Sequence, residues 1–208
     1  EVTINPNEVD TSFSIGKHTF KVPILASAMD GVVDVAFAIE MGRLGGVAVL
    51  NLEGVQTRYE NPGEVVDQIV KADKETATKL LQSIYTRPIQ EKLIVQRIEQ
   101  IKAAKVPAIV SSIPQRAERF GQLAQEAGAD IFVVQSTVST IRHISTEYKT
   151  LDLAQFCKTM KIPVIIGNTV TYKGTLDLME CGPSGVLVGV GPGAACTTRG
   201  VLGLGVPQ

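Results

Sequence analysis

Six short apolar runs, separated by stretches with helical spacing, constrain this 208-residue chain more than any other feature. Val22–Ala26 reads as the first strand, followed by a polar corner at Ser27–Gly31. Val33–Leu44 has helical spacing and is stopped by Gly45-Gly46. Val47–Leu50 is the second strand and Ala108–Ile113 the third. Pro114 then opens a helix to about Ala127, since proline suits a first helical turn. Ala129-Asp130 lead into the fourth strand, Ile131–Gln135, and a longer link reaches a helix at Leu153–Met160. Pro163–Ile166 is the fifth strand, Tyr172–Cys181 a helix ended by Gly182, and Gly185–Gly189 the sixth strand.

Between the second and third strands, Glu53–Lys105 shows no strand signal. It is rich in Glu, Lys, Gln and Ala, with Val65, Ile69, Leu80, Leu81, Ile84, Leu93, Ile98 and Ile101 at intervals. The interval predicts a helical insertion of two or three helices, broken at Pro62 and Pro88.

Strands alternating with helices predict a parallel sheet with right-handed crossovers. Two architectures satisfy that, an open doubly wound sheet and a (β/α)8 barrel. A barrel takes eight units and about 250 residues. Six units therefore make either an open sheet or most of a barrel whose last quarter lies beyond Gln208. Small and polar residues recur just after the strands: Ser27-Ala28-Met29-Asp30, Asn51-Leu52-Glu53, Ser111-Ser112, Gln135-Ser136-Thr137, Gly167-Asn168-Thr169 and Gly191-Pro192-Gly193. In a barrel these share one rim and converge on one pocket. In an open sheet they spread along an edge and meet mainly at the switch point.

Composition narrows the chemistry. With 44% hydrophobic and 20% charged residues, the chain suits one domain with a sizeable core. Its net charge of −1, without a basic stripe, argues against nucleic acid as a partner. No apolar run approaches the roughly 18 residues of a membrane span, so no membrane role is expected. Glu1-Val2-Thr3 lacks a basic region followed by an apolar one, so no secretory leader is expected there. The absence of an initiating methionine suits a piece of a longer protein. The three cysteines, Cys157, Cys181 and Cys196, form no C-x-x-C pair, which argues against a disulfide framework or structural zinc and for a reducing cytoplasm. With only His18 and His143 present, a Ser/His/Asp triad or a histidine-rich metal site is not expected.

The run from Gly189 through Arg199 carries the most chemistry. Gly189-x-Gly191-x-x-Ala194 matches a dinucleotide fingerprint superficially. That fingerprint needs a helix opening on its last glycine and an acidic residue about 20 residues later. No Asp or Glu follows Glu180, so the reading fails. Taken singly, Gly189, Gly191 and Gly193 let backbone N–H groups approach phosphate oxygens and permit positive φ. Pro192 stiffens the loop, and Ala194-Ala195 leave space beside Cys196. Thr197, Thr198 and Arg199 supply hydroxyls and a positive charge, conditions that favour a thiolate. A free cysteine can also be a small core residue. Cys157 and Cys181, in helical sequence, suit that role better than Cys196 does.

The loop Gly191–Arg199 resembles the catalytic cysteine loop of the IMP dehydrogenase/GMP reductase family. Pro23–Asp30 resembles that family's first-strand nucleotide-contact motif, Gly42–Leu50 its next helix–strand turn, and Gly167–Thr171 the motif after its fifth strand. The resemblance implies a (β/α)8 TIM barrel of which roughly the first six strands are present. It also implies that the helical insertion 53–105 stands in place of the family's regulatory CBS pair, as in a short, CBS-less branch.

The implied activity is redox chemistry at C2 of a purine ribonucleoside 5′-monophosphate. Cys196 would add to C2 as a covalent thioimidate, with Thr198 near the reacting centre. Ser27, Met29, Gly191, Gly193 and Ala194 would bind the nucleotide. Gln135, Ser136, Asn168, Gly189, Val190 and Gly191 would face NADPH or NAD. The backbone carbonyls of Gly191, Gly193 and Cys196 would bind a potassium ion. GMP reductase is the first reading, for want of room for a CBS pair, and IMP dehydrogenase the alternative. A non-catalytic nucleotide-binding regulator stays open as another class. So does a different barrel chemistry, on a flavin or a sugar phosphate, that would leave Cys196 idle. A cytoplasmic homo-tetramer or homo-octamer is implied as well. Three positions depart from the family pattern: Ala194 where serine is usual, Gln135 where aspartate is usual, and Leu187 where a basic residue is usual.

Other polar residues have plainer expectations. Asp30 should fix the Ser27–Met29 corner. Arg58-Tyr59-Glu60-Asn61 should be a solvated turn, and Arg142-His143 a surface or helix-start pair. Glu91, Lys92, Arg97, Glu99 and Lys102 should form a solvated helix face.

Overall fold

The computed structural model describes residues 4–207. Gln208 and Glu1-Val2-Thr3, where the sequence shows no leader pattern, lie outside them.

A hairpin that the apolar runs did not announce comes first. β1 (Phe13–Ile15) and β2 (His18–Phe20) pair antiparallel across a two-residue turn at Gly16-Lys17, with Gly16 at φ +59°. Glycine supplies that backbone conformation without strain. The Phe13 and Phe20 rings stack 5.2 Å apart.

Six strands then build one parallel sheet: β3 (Leu25–Ala26), β4 (Val47–Asn51), β5 (Ile109–Ser112), β6 (Ile131–Gln135), β7 (Val164–Thr169) and β8 (Gly185–Val188). Their spatial order is their chain order, and every neighbouring pair is parallel. A doubly wound sheet reverses its order at a switch point. No reversal occurs here, so the sheet is an arc of a (β/α) barrel rather than an open doubly wound sheet.

Residues alternate across the arc. Val47, Val49, Ile109, Ile131, Val133 and Ile165 face one cluster, which Phe20 completes. Ala48, Leu50, Val110, Phe132, Val134 and Ile166 face the other, shared with the helices. Burial on both faces explains why these strands read as unbroken apolar runs. The hairpin closes the inner cluster from the N-terminal ends of the strands. Lys21 and Val22 N–H donate to Gly45 O at 2.9 and 3.0 Å, just before β4. Because those groups turn to Gly45, only Leu25–Ala26 of the expected first strand joins the sheet.

The helices are α1 (Val35–Arg43), α2 (Pro62–Lys71), α3 (Ala77–Thr86), α4 (Glu91–Ala103), α5 (Pro114–Glu126), α6 (Leu153–Thr159), α7 (Tyr172–Glu180) and α8 (Thr198–Leu202). α1 begins at Val35 because Asp34 caps it, accepting from Phe37 N–H at 2.7 Å. Gly45 ends it at φ +87°.

Within 53–105, Pro62 opens α2 at its first turn instead of breaking a helix, because its missing N–H needs no partner there. Pro88 does separate α3 from α4. Ile94, Ile98 and Ile101 of α4 enter the outer cluster beside Leu50 and Phe120, and α4 packs against α1 and α5. α4 is therefore the crossover helix between β4 and β5. Only α2 and α3 stand outside the strand–helix repeat, around a small cluster of Val55, Val65 and Ile84.

Arg97 corrects the expectation of a wholly solvated α4 face. It is 5% exposed and donates to Gln56 O (3.0 Å), Tyr59 O (3.1 Å) and Glu60 O (2.8 Å). Arg58 is likewise buried rather than on a solvated turn. Its Nε donates to Glu53 O at 3.0 Å and its Nη1 to Arg87 O. Both guanidiniums satisfy backbone carbonyls that the irregular stretch 53–60 leaves unpaired, a demand that charge patterning does not display.

Candidate active site

All six strand-end motifs meet at one cavity of about 480 Å³ on the C-terminal rim. β3 sends Ser27 and Ala28, β4 sends Asn51 and Glu53, and β5 sends Ser111 and Ser112. β6 sends Gln135, Ser136 and Thr137, and β7 sends Asn168. The loop after β8 sends Gly189, Val190, Gly191 and Pro192, and Thr198 closes the wall from the start of α8. Of the expected site residues, Met29, Gly193, Ala194 and Cys196 stand outside the cavity wall, all exposed.

The loop after β8 is held by its own backbone. Gly189 N–H donates to Thr169 O at 2.7 Å, and Asn168 Nδ2 donates to Gly189 O at 3.0 Å. Gly191 adopts φ +57°, and a Cβ there would press on the Arg199 side chain at 3.0 Å. Both facts require glycine. Val206 N–H returns to Val190 O at 2.8 Å, so the loop doubles back on itself.

The three cysteines separate by environment. Burial pushes the Cys157 thiol up to about 11. Burial, with Asp152, Glu180 and Asp177 nearby, raises Cys181 as well. Cys196 is exposed, with Sγ 3.2 Å from Thr198 Oγ1. The Thr198 hydroxyl and N–H, with a smaller contribution from Arg199, hold it below the ordinary thiol value. Of the three, Cys196 is the one poised as a nucleophile.

The loops after β6 and β7 are tied together. Asn168 N–H donates to Ser136 O at 3.1 Å, Ser136 N–H donates to Gly167 O at 2.9 Å, and Ser139 Oγ donates to Gly167 O at 2.6 Å. Beyond them lies a second cavity of about 260 Å³ that shares Ser136 and Thr137 with the first. His143 lines it, stacked on Tyr148 at 5.7 Å with Nε2 2.8 Å from the Tyr148 hydroxyl.

Of the three carbonyls expected to hold a potassium ion, two already accept hydrogen bonds. The Gly191 carbonyl accepts from the Arg199 guanidinium, and the Gly193 carbonyl takes Cys196 N–H at 3.2 Å. Among the described residues, no group of three or more His, Cys, Asp or Glu side chains could hold a metal.

Asp30 acts across loops, not within its own corner. Oδ2 accepts from Val55 N–H at 3.0 Å and from the Tyr85 hydroxyl of α3, while Oδ1 is buried without a partner. Leu187 points into the barrel, packed on the inner cluster and against Gly167. Glu53 is the one ionisable side chain on the rim cavity among the described residues. Its place after the second strand was visible in the sequence, but its role depends on Ser112 and Arg116, 59 and 63 residues away.

Comparison with known proteins agrees with this geometry. The model for the IMP dehydrogenase / GMP reductase domain matches residues 1–208. An uncharacterized oxidoreductase of Mycolicibacterium smegmatis is 34% identical over 221 residues, covering 100% of this chain and 59% of that protein. Inosine-5′-monophosphate dehydrogenase of Cryptosporidium parvum is 29% identical, covering 98% of this chain and 52% of the relative. The crystal structure of an IMP dehydrogenase/GMP reductase-like protein from Corynebacterium glutamicum superposes with a TM-score of 0.88 at 29% identity, covering 98% of this chain and 54% of that one. The chain thus spans little more than half the length of the relatives it matches. No helix among the described residues is long and apolar enough to cross a membrane.

Proposed function

The chain belongs to the IMP dehydrogenase/GMP reductase family, and on that premise we propose that it carries the nucleotide site of a purine nucleotide oxidoreductase working through Cys196. One observation carries the reading. Six strand-end loops converge on one cavity, and its wall at Thr198 adjoins the one cysteine whose thiolate is favoured.

The residues take the following roles. The Cys196 thiolate adds to C2 of the purine and forms a C–S bond. Thr198 faces the sulfur and steadies the thiolate before attack. Ser27 and Met29 contact the nucleotide, with the phosphate on N–H groups of Gly191, Gly193 and Ala194. Gln135, Ser136, Asn168, Gly189, Val190 and Gly191 border the cofactor, which extends past Ser136 and Thr137 into the second cavity. A bound nicotinamide cofactor supplies or accepts the hydride at C2.

GMP reductase is the first reading: thiolate addition, loss of ammonia, hydride delivery from NADPH and release of IMP. The segment outside the strand–helix repeat favours it. Only α2 and α3 stand there, far less than the CBS pair expected of a dehydrogenase. The second reading is IMP dehydrogenase, in which hydride leaves C2 for NAD and water releases XMP. The naming of the Cryptosporidium relative favours it. The whole protein is proposed to be a cytoplasmic homo-tetramer or homo-octamer, checked by light scattering.

The test uses full-length protein, wild type and Cys196→Ala, with GMP plus NADPH and with IMP plus NAD, followed by absorbance. Turnover with GMP that vanishes in Cys196→Ala supports the first reading. Turnover with IMP instead supports the second. Activity retained in Cys196→Ala overturns the covalent mechanism, and nucleotide binding without turnover makes the protein a regulator.

A further inference from the structure

Glu53, the one ionisable side chain on the rim cavity among the described residues, has no role in that reading. Its backbone is fixed on both sides: its N–H donates to Asn51 Oδ1 at 2.9 Å, and its carbonyl accepts from buried Arg58 at 3.0 Å. Its carboxylate is fixed as well. Oε1 accepts from Ser112 Oγ at 2.8 Å and from Ile113 N–H at 3.4 Å, and Oε2 from Arg116. The side chain is only 15% exposed, and that exposure lies on the cavity.

A carboxylate offers about four lone-pair directions and no donor. Three partners leave room for one more hydrogen bond, which a bound ligand can supply only from an N–H or O–H. A phosphate or a carbonyl oxygen is repelled there. β4 lies four strands along the sheet from β8, whose glycine loop suits the phosphate, so Glu53 meets a different part of the reactants.

We propose that Glu53 is a specificity-determining residue that accepts a hydrogen bond from an N–H2 group of a bound reactant. It rests on the purine oxidoreductase reading, which supplies two such groups: the 2-amino group of guanine and the carboxamide of nicotinamide. Arg116 is a positioning residue that aims the carboxylate. This assigns substrate or cofactor selectivity to a loop within the present chain.

The test is calorimetric binding to full-length wild type, Glu53→Gln and Arg116→Lys, with GMP, IMP, the nicotinamide cofactor and its 3-acetylpyridine analogue. Glutamine keeps the shape of Glu53 and replaces one acceptor with a donor. Two results support the proposal. In one, Glu53→Gln weakens GMP about tenfold and leaves IMP unchanged, assigning the purine amino group. In the other, it weakens the cofactor about tenfold and spares the analogue without N–H2, assigning the carboxamide. Arg116→Lys retains most of either selectivity. Equal losses for both members of each pair, or no change, overturn the proposal and make Glu53 a bridge between loops. Binding requires no turnover, so those results leave the oxidoreductase reading standing. Wild-type protein that binds neither nucleotide overturns both.

Discussion

Replacing Tyr85 with phenylalanine tests whether the helices outside the repeat hold the Ser27–Met29 corner in place. The Tyr85 hydroxyl donates to Asp30 Oδ2, which otherwise has only Val55 N–H at 3.0 Å. Asp30 Oδ1 has no partner at all. Removing the hydroxyl leaves one donor for a carboxylate that the loops enclose. A hydrogen bond to a charged group contributes about 1.5–3 kcal/mol net. Tyr85 is 39% exposed, so water replaces part of it, and the expected loss is about 1–2 kcal/mol. Burial and the Asp30 carboxylate push the Tyr85 phenol well above its ordinary value, so it stays a donor across any practical assay range. The difference between wild type and Tyr85→Phe should therefore be independent of pH from neutrality to about pH 9. Urea midpoints of the full-length proteins, read at a shared slope, measure the loss. Asp30 follows Ser27–Met29 directly, so the nucleotide KM should rise severalfold while kcat changes less. An unchanged midpoint with an unchanged KM would refute the coupling and show that solvent serves Asp30 as well as Tyr85 does.

Two further outcomes follow from other buried or poised groups. Arg97→Met removes the donor for three backbone carbonyls, that of Gln56 buried and those of Tyr59 and Glu60 partly so, and should cost about 3 kcal/mol by urea denaturation; a loss under about 1 kcal/mol would mean that water reaches those carbonyls. Iodoacetamide labelling followed by mass spectrometry should find Cys196 modified first as pH rises, then Cys181, with Cys157 last. Thr198→Val should move the Cys196 labelling midpoint to higher pH, because the hydroxyl that favours the thiolate is gone, and an unmoved midpoint would assign the effect elsewhere.

The barrel arc was legible because burial on both faces writes each strand as an apolar run bounded by glycine or proline. The rim was legible for a related reason. Strand ends at which chemistry occurs carry small polar residues, and Ser27, Asn51, Ser111, Gln135, Asn168 and Gly189 all reach the same cavity. The β1–β2 hairpin escaped notice because three-residue strands give too short an alternation, although the two-residue turn with Gly16 was a usable signal. The crossover role of α4 was hidden by its charges. Glu91, Lys92, Glu99 and Lys102 read as a solvated face, yet Ile94, Ile98 and Ile101 form an apolar stripe of ordinary spacing that marks a packed helix.

What sequence spacing could not show is the tertiary hydrogen bonding that joins distant segments at the rim. Arg58 reaches Glu53 O and Arg87 O while its guanidinium lies 5.8 Å from the Tyr85 ring. Tyr85 in turn reaches Asp30, and Gly54 must lack a side chain because a Cβ would collide with the Asp30 carboxylate. The end of α3 thus grips two neighbouring rim loops, the one carrying Ser27 and Met29 and the one carrying Glu53. A change on α3, outside the strand–helix repeat and the cavity, would therefore move both corners together. Substitutions at Tyr85 and Arg58 should then affect nucleotide affinity non-additively, since both act through the same two loops. Paired with a change at Lys173, which makes only an exposed bond to Asp177 on α7, each should combine additively. A double-mutant cycle on nucleotide binding separates the two cases. Additivity between Tyr85 and Arg58 would show that the two loops are held independently.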